Sequence, residues 1–286
     1  MLMTFSSIPM KMVRTLAEFF ETVDSVTKRW EGDSNEYVDP WFRGQSSAAH
    51  KLVPSFYRIE NDGEIDEDDF RDEFSLKAFP YLQQMRAEGD WESYALMQHY
   101  GLPTRLLDWS EAALVALYFA VSGTPTMNNA AVWMLHPWTL NELSMNYEWI
   151  LDSGDDRVAD YLPDVFTGRD DIPNDPIALQ IPYNSPRITA QRGLFTIHGR
   201  KKTPLEEVMA PRSDRLVKIQ IPADRVIAMR RQLYTAGVSE AALFPELGAL
   251  CRDLKRHWID DREDVAPEKS ERKIKPKSHA AKRKKK

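Results

Sequence analysis

Ser110-Glu111-Ala112-Ala113-Leu114-Val115-Ala116-Leu117-Tyr118-Phe119-Ala120-Val121, followed closely by Ala130-Ala131-Val132-Trp133-Met134-Leu135, decides the fold class of this chain. Ten apolar residues from Ala112 to Val121 fall well short of the ~20 that a membrane-spanning helix needs. The run therefore predicts a helix buried in a protein core, with Ser110 as its N-cap. Ala130–Leu135 predicts a strand.

Working outward, Val13, Leu16, Phe19, Phe20, Val23, Val26 and Trp30 recur at helical spacing, and Glu31–Asn35 ends that helix. Tyr37–Gly44 reads as a strand whose Pro40 suggests an edge position or an irregular start. Phe70–Met85 reads as a helix bent near Pro80, and Trp91–Tyr100 as another, with Gly101 as its left-handed terminator. Leu194–Ile197 and Leu216–Ile221 read as strands; Asp224–Tyr234 and Glu240–Trp258 as helices turned at Gly237. Helices and scattered strands without regular alternation predict an α+β fold, a small mixed or split sheet surrounded by helices. Residues 1–34 are expected to form an N-terminal helix packed on a domain over 35–258. Asn141–Asp175, polar and Asp-rich, reads as an insertion, and 259–286 as a disordered basic tail.

The charge is unevenly distributed. From Glu268 to Lys286 there are ten Lys/Arg against two Glu, a net of +8 within a chain total of −6, so residues 1–267 carry −14. An acidic body repels a phosphate backbone unless its positive charge is gathered in one cleft. The tail, Lys269–Lys286, has no Phe, Tyr or Trp on which bases could stack, which predicts contact with nucleic-acid phosphates and no sequence preference. A solubilising extension explains the same composition. Met1–Val13 lacks the pattern of a secretory leader and no apolar run suits a membrane, so the expected location is cytoplasmic with no membrane partner. Cys251, the one cysteine, falls in an apolar helical pattern and is expected to be buried. No Cys/His spacing suits a metal.

Three blocks carry the candidate chemistry. In Phe42-Arg43-Gly44-Gln45, a planar, permanently charged Arg43 at a strand end suits a phosphate or carboxylate, and Gly44 permits close approach. A structural pairing of Arg43 with a carboxylate is the other reading. In His99-Tyr100-Gly101-Leu102-Pro103-Thr104-Arg105-Leu106-Leu107-Asp108-Trp109-Ser110, polar and aromatic groups crowd a loop between apolar helices. There Arg105 and Asp108 either rigidify the loop as a buried pair or meet a ligand, Trp109 anchors the loop, and His99 is expected to be a satisfied core histidine. In Arg187-Ile188-Thr189-Ala190-Gln191-Arg192-Gly193-Leu194-Phe195, Arg187 offers a second phosphate contact, Gln191 an amide, and Phe195 a stacking ring.

These three blocks, in this order, resemble the FRG domain family, named for its Phe/Tyr-Arg-Gly motif, over about residues 35–255. The first block is also similar to the opening motif of arginine-type ADP-ribosyltransferases, in which a strand-borne Arg holds the nicotinamide dinucleotide. Their Ser-Thr-Ser and Gln/Glu-x-Glu motifs are missing here, so the likeness implies a nucleotide-binding fold more than a transfer reaction. Such a transferase needs a carboxylate for the reacting ribose. Glu240 is the best placed by sequence, although the helix dipole favours a glutamate there regardless of function.

Two functions are consistent with these residues. One is an NAD-using ADP-ribosyltransferase or NAD glycohydrolase-like domain, with NAD as substrate and no metal. Glu240 and Gln191 would then be catalytic, and Arg43, Gln45, Thr104, Arg105, Asp108, Arg187 and Phe195 would bind substrate. The alternative is a non-catalytic module recognising a nucleotide or nucleic acid.

Overall fold

Trp41–Gln45 is a central strand, which Pro40 escapes by lying just before it. The computed structural model describes residues 7–34, 37–60, 65–82, 89–123, 127–166 and 172–260. Residues 261–286 of the basic tail, and 61–64 of Glu60–Glu73, a run with nine Asp/Glu in fourteen residues, lie outside these residues. Eight strands form a mixed sheet: β1 Met10–Met12, β2 Trp41–Gln45, β3 Leu106–Ser110, β4 Ala130–Leu135, β5 Leu151–Asp152, β6 Ile177–Gln180, β7 Gly193–Ile197 and β8 Leu216–Ile221, in the order β1-β8-β4-β2-β3-β7-β6-β5. The end pairs β1/β8 and β5/β6 are parallel and the rest antiparallel. The fold is α+β.

The helices, in chain order, are α1 Leu16–Ser34, α2 Glu67–Ala78, α3 Asp90–His99, α4 Ala113–Val121, α5 Pro137–Met145, α6 Asp156–Ala159, α7 Pro163–Phe166, α8 Pro186–Gln191, α9 Leu205–Val208, α10 Val226–Thr235, α11 Glu240–Leu243 and α12 Leu247–Lys255. Helix α1 runs on through Gly32 to Ser34. Gly101 and Gly237 end α3 and α10 with φ of 91° and 85°, the left-handed backbone that glycine adopts without strain. The last helix expected, Glu240–Trp258, breaks at Pro245 into α11 and α12. Among the described residues no helix is long and apolar enough to cross a membrane.

The centre of the sheet decides where a ligand can enter. β2 pairs with β4 along its whole length, and β3 does the same with β7. Between β2 and β3 the ladder holds only at Phe42 opposite Ser110, so the sheet opens beyond that pair. One face carries two apolar clusters. The first joins α1, α4 and α10 to Phe42, Val132, Met134 and Ile219; the second joins Trp91, Tyr94 and Met97 of α3 to Leu106, Phe195 and Ile197. On the other face Trp41 and Trp133 meet Leu107, Trp109 and Leu194 in a single cluster. That cluster holds the two halves together where their backbone hydrogen bonds stop.

Strand β3 differs from the loop expected between two helices. Leu107 and Trp109 face one apolar cluster and Leu106 another, while Asp108 is half exposed beside the opening. A strand buried on both faces loses the alternation that reveals strands in a sequence. Gly44 likewise serves packing: a Cβ there would lie 1.9 Å from the Ala116 carbonyl oxygen and 2.6 Å from the Ala120 nitrogen, so α4 crosses directly over β2. Ser110 is not the N-cap of α4. Ala112 holds that position, and the Ser110 hydroxyl accepts from its N–H at 3.0 Å while donating to the Gln191 carbonyl at 2.6 Å. Cys251 is exposed, because its face of α12 turns outward.

Candidate functional site

A pocket of about 600 Å³ opens where β2 and β3 part. Its walls bring together Arg43, Gln45 and Asp108 from the two strands, Gln98 and His99 from the end of α3, and Gln191, Leu194 and Phe195 from the α8–β7 junction. Phe119 of α4 and Phe244 close one side, their rings edge to face at 6.0 Å, both half-buried. His50, Lys51 and Arg58 come from the segment after β2. Size and lining suit a small organic ligand.

Arg43 spans the opening. Its Nη1 donates to the Asp108 carbonyl at 2.5 Å and lies 3.7 Å from the Asp108 carboxylate, while its buried Nε has no hydrogen-bond partner. Burial lowers the Arg43 pKa; Asp108 opposes that shift and the Arg58 charge adds to it. Asp108, the one carboxylate among the described residues lining the pocket, is held in turn. Gln98 Nε2 donates to its Oδ2 at 2.5 Å, and the buried Thr104 hydroxyl donates to Gln98 Oε1 at 2.7 Å. Thr104 therefore sits one step behind the pocket and fixes which end of the Gln98 amide meets Asp108.

His99 differs from the satisfied core histidine expected. It lines the pocket, its buried Nε2 has no partner, and burial, with the Arg187 charge, lowers its pKa to about 4. It is neutral at pH 7. Gln45 accepts from Trp133 Nε1 at 2.8 Å and so ties the first block to β4. Gln191 donates to the Leu243 carbonyl at 3.2 Å, which draws α11 against α8. Phe195 is only 2% exposed, part of the core beneath the pocket, so the rings available for stacking are Phe119 and Phe244.

Besides Thr104, three expected site residues do not reach the pocket. Arg105, 1% exposed and just before β3, is enclosed away from the pocket, where Nε donates to Glu67 at 2.5 Å and Nη1 to the His198 carbonyl at 3.0 Å. The Tyr94 hydroxyl completes that buried cluster by donating to Glu67. Arg187, its side chain 18% exposed, pairs with Glu246 at 3.4 Å and lies over the Phe244 ring at 4.7 Å. Glu240 is buried but faces α12, where Arg252 donates to it at 2.5 Å and Arg256 lies at 3.3 Å. Its carboxylate is neutralised by two guanidiniums outside the pocket.

Arg58, Phe119 and Phe244 were not singled out by sequence. Arg58 sits in no motif, and both phenylalanines lie in apolar patterns that read as core. Among the described residues no group of His, Cys, Asp and Glu could hold a metal ion.

The family model described as the FRG domain matches residues 39–129, a stretch containing the first two motif blocks, β2, β3 and α4. No curated protein and no solved structure matches the chain.

Proposed function

We propose that the pocket between β2 and β3 binds a nucleotide. The observation that carries this reading is its polarity: Arg43 and Arg58 face one carboxylate, Asp108, beside a Lys51 paired with Glu207, within a body whose net charge is −14. Positive charge gathered in one cleft of an acidic surface attracts an anion. Phe119 and Phe244 offer half-buried aromatic area to a base, and Gln191 Oε1 and His99 Nε2 offer polar edges. NAD combines all these features in one molecule and is the first ligand to test.

Recognition is better supported than glycosyl transfer, because Glu240 is occupied by Arg252 and Arg256. The enzymatic reading is favoured by one observation, the half-exposed Asp108 carboxylate fixed by Gln98. In that reading Asp108 stabilises the ribose oxocarbenium as the bond to nicotinamide breaks, its electron pair leaving on the ring nitrogen, and water or an acceptor adds. Calorimetric titration with NAD and ADP-ribose, with nicotinamide release followed by chromatography, tests both. Binding without release supports recognition, release abolished in Asp108→Asn supports the enzyme, and no binding of either compound at millimolar concentration refutes the site.

The tail supports a separate proposal, salt-sensitive contact with nucleic-acid phosphates, on the strength of ten cations in the eighteen residues Lys269–Lys286. Retention on nucleic acid should weaken steeply with salt and vanish in a form ending at Val265. Salt-insensitive retention by the truncated form refutes it.

A further inference from the structure

Arg58 enters the pocket from a short turn, Phe56–Arg58, whose base is fixed from two sides. The Phe56 N–H donates to the Thr104 carbonyl at 3.1 Å. The Tyr57 hydroxyl donates to the Gly199 carbonyl, and its ring lies edge-on to the buried His198 at 6.3 Å. The turn is thus held against the second motif block, while the Arg58 side chain stays exposed at the rim. Among the described residues Arg58 has no ion pair, and Lys51, its neighbour in the lining, is already balanced by Glu207 at 3.1 Å.

We propose that Arg58 and Arg43 form a two-guanidinium clamp for a diphosphate, the moiety of a nucleoside diphosphate or dinucleotide that distinguishes it from a monophosphate. The clamp rests on the nucleotide reading of the pocket and names the part of the ligand that gives it selectivity. Two like charges facing one pocket repel each other until an anion lies between them, and the repulsion acts on Arg43 directly. Asp108, 3.7 Å from Arg43 and also hydrogen-bonded to Gln98, offsets part of that repulsion, but it brings one negative charge to two guanidiniums. A ligand with two adjacent anionic groups gives each guanidinium its own charge-assisted partner, and a monophosphate leaves one cation unmatched. The second phosphate contact expected at Arg187 is thereby assigned to Arg58.

The full chain should be titrated with ADP, AMP, inorganic pyrophosphate and inorganic phosphate, beside Arg58→Gln and the remote control Lys77→Gln. The native chain should bind ADP at least tenfold more tightly than AMP, and pyrophosphate more tightly than phosphate. Arg58→Gln should reduce both preferences to within about twofold, with AMP affinity little changed and melting temperature preserved; Lys77→Gln should behave as the native chain. An unchanged ADP-to-AMP ratio in folded Arg58→Gln overturns the clamp while leaving the nucleotide reading intact. Pyrophosphate binding that adenosine does not improve upholds the clamp and removes the nucleotide reading. Failure of the native chain to bind any of the four overturns both.

Discussion

Arg43 donates through Nη1 to the backbone carbonyl of Asp108 at 2.5 Å, across the point where β2 and β3 stop pairing. A side chain thus takes the place of the missing ladder, and the guanidinium that bridges the opening is the one presented to the pocket. The first two motif blocks meet in this one contact.

Arg43→Ala should therefore weaken nucleotide binding while leaving the chain folded, because the apolar cluster of Trp41, Leu107, Trp109 and Trp133 still joins the two halves. A hydrogen bond to a charged group contributes about 1.5–3 kcal/mol, so affinity should fall roughly ten- to hundredfold. Calorimetry beside a thermal melt checks this, and equal affinity in a folded variant removes Arg43 from the site.

Breaking the Glu67–Arg105 pair should be the costliest polar change in the protein. Both side chains are nearly inaccessible, at 4% and 1%, and Glu67, Tyr94 and Tyr57 hold the Arg105 pKa above its ordinary value despite burial. Removing one partner of a buried pair costs about 3–5 kcal/mol. Urea unfolding of Glu67→Leu should show such a loss, and the double variant with Arg105→Met should recover part of it.

Gly44→Ala should destabilise by about 3 kcal/mol, the upper range for overpacking a tight contact. The new methyl would meet the α4 backbone at Ala116, which cannot rotate away as a side chain can. An unfolding midpoint equal to that of the native chain would show that α4 can shift without cost.

Glu240→Gln should loosen α12 and leave the pocket unaffected. The neutral amide keeps its shape but loses the charge that Arg252 and Arg256 share. The expected results are a lowered melting temperature and unchanged nucleotide affinity. A folded variant that binds NAD normally but no longer releases nicotinamide would return Glu240 to the reaction.

Stability should fall as the pH drops below about 6.5. Burial lowers the pKa of His198 to about 3, and that of His136 and His99 to about 4. Between those values and ~6.5 the unfolded chain binds protons that the folded chain excludes, so this stability is fully present above 6.5 and is lost on acidification. For His198, wholly buried, the slope approaches ~1.4 kcal/mol per pH unit. Urea midpoints from pH 7 to 5 should decline, and less so in His198→Leu; a flat native profile contradicts the assignment.

The sequence by itself determined the α+β class, the termination of α3 at Gly101, and strands β4, β7 and β8, because each is written in local periodicity or in a residue with unusual backbone freedom. It also located the two blocks that meet at Arg43 and Asp108. It left β3 looking like a loop and β2 undecided between an edge strand and one with an irregular start, because a central strand is defined by its neighbours on both sides rather than by its own alternation. Only the tertiary structure decided which charges face the pocket. Arg105, Arg187 and Arg58 carry identical groups, yet Glu67 takes the first into the core, Glu246 and the Phe244 ring hold the second behind the pocket wall, and an anchored turn brings the third to the rim. A guanidinium's role depends on which carboxylate lies within reach of it, and that distance is set by packing between segments far apart in the chain.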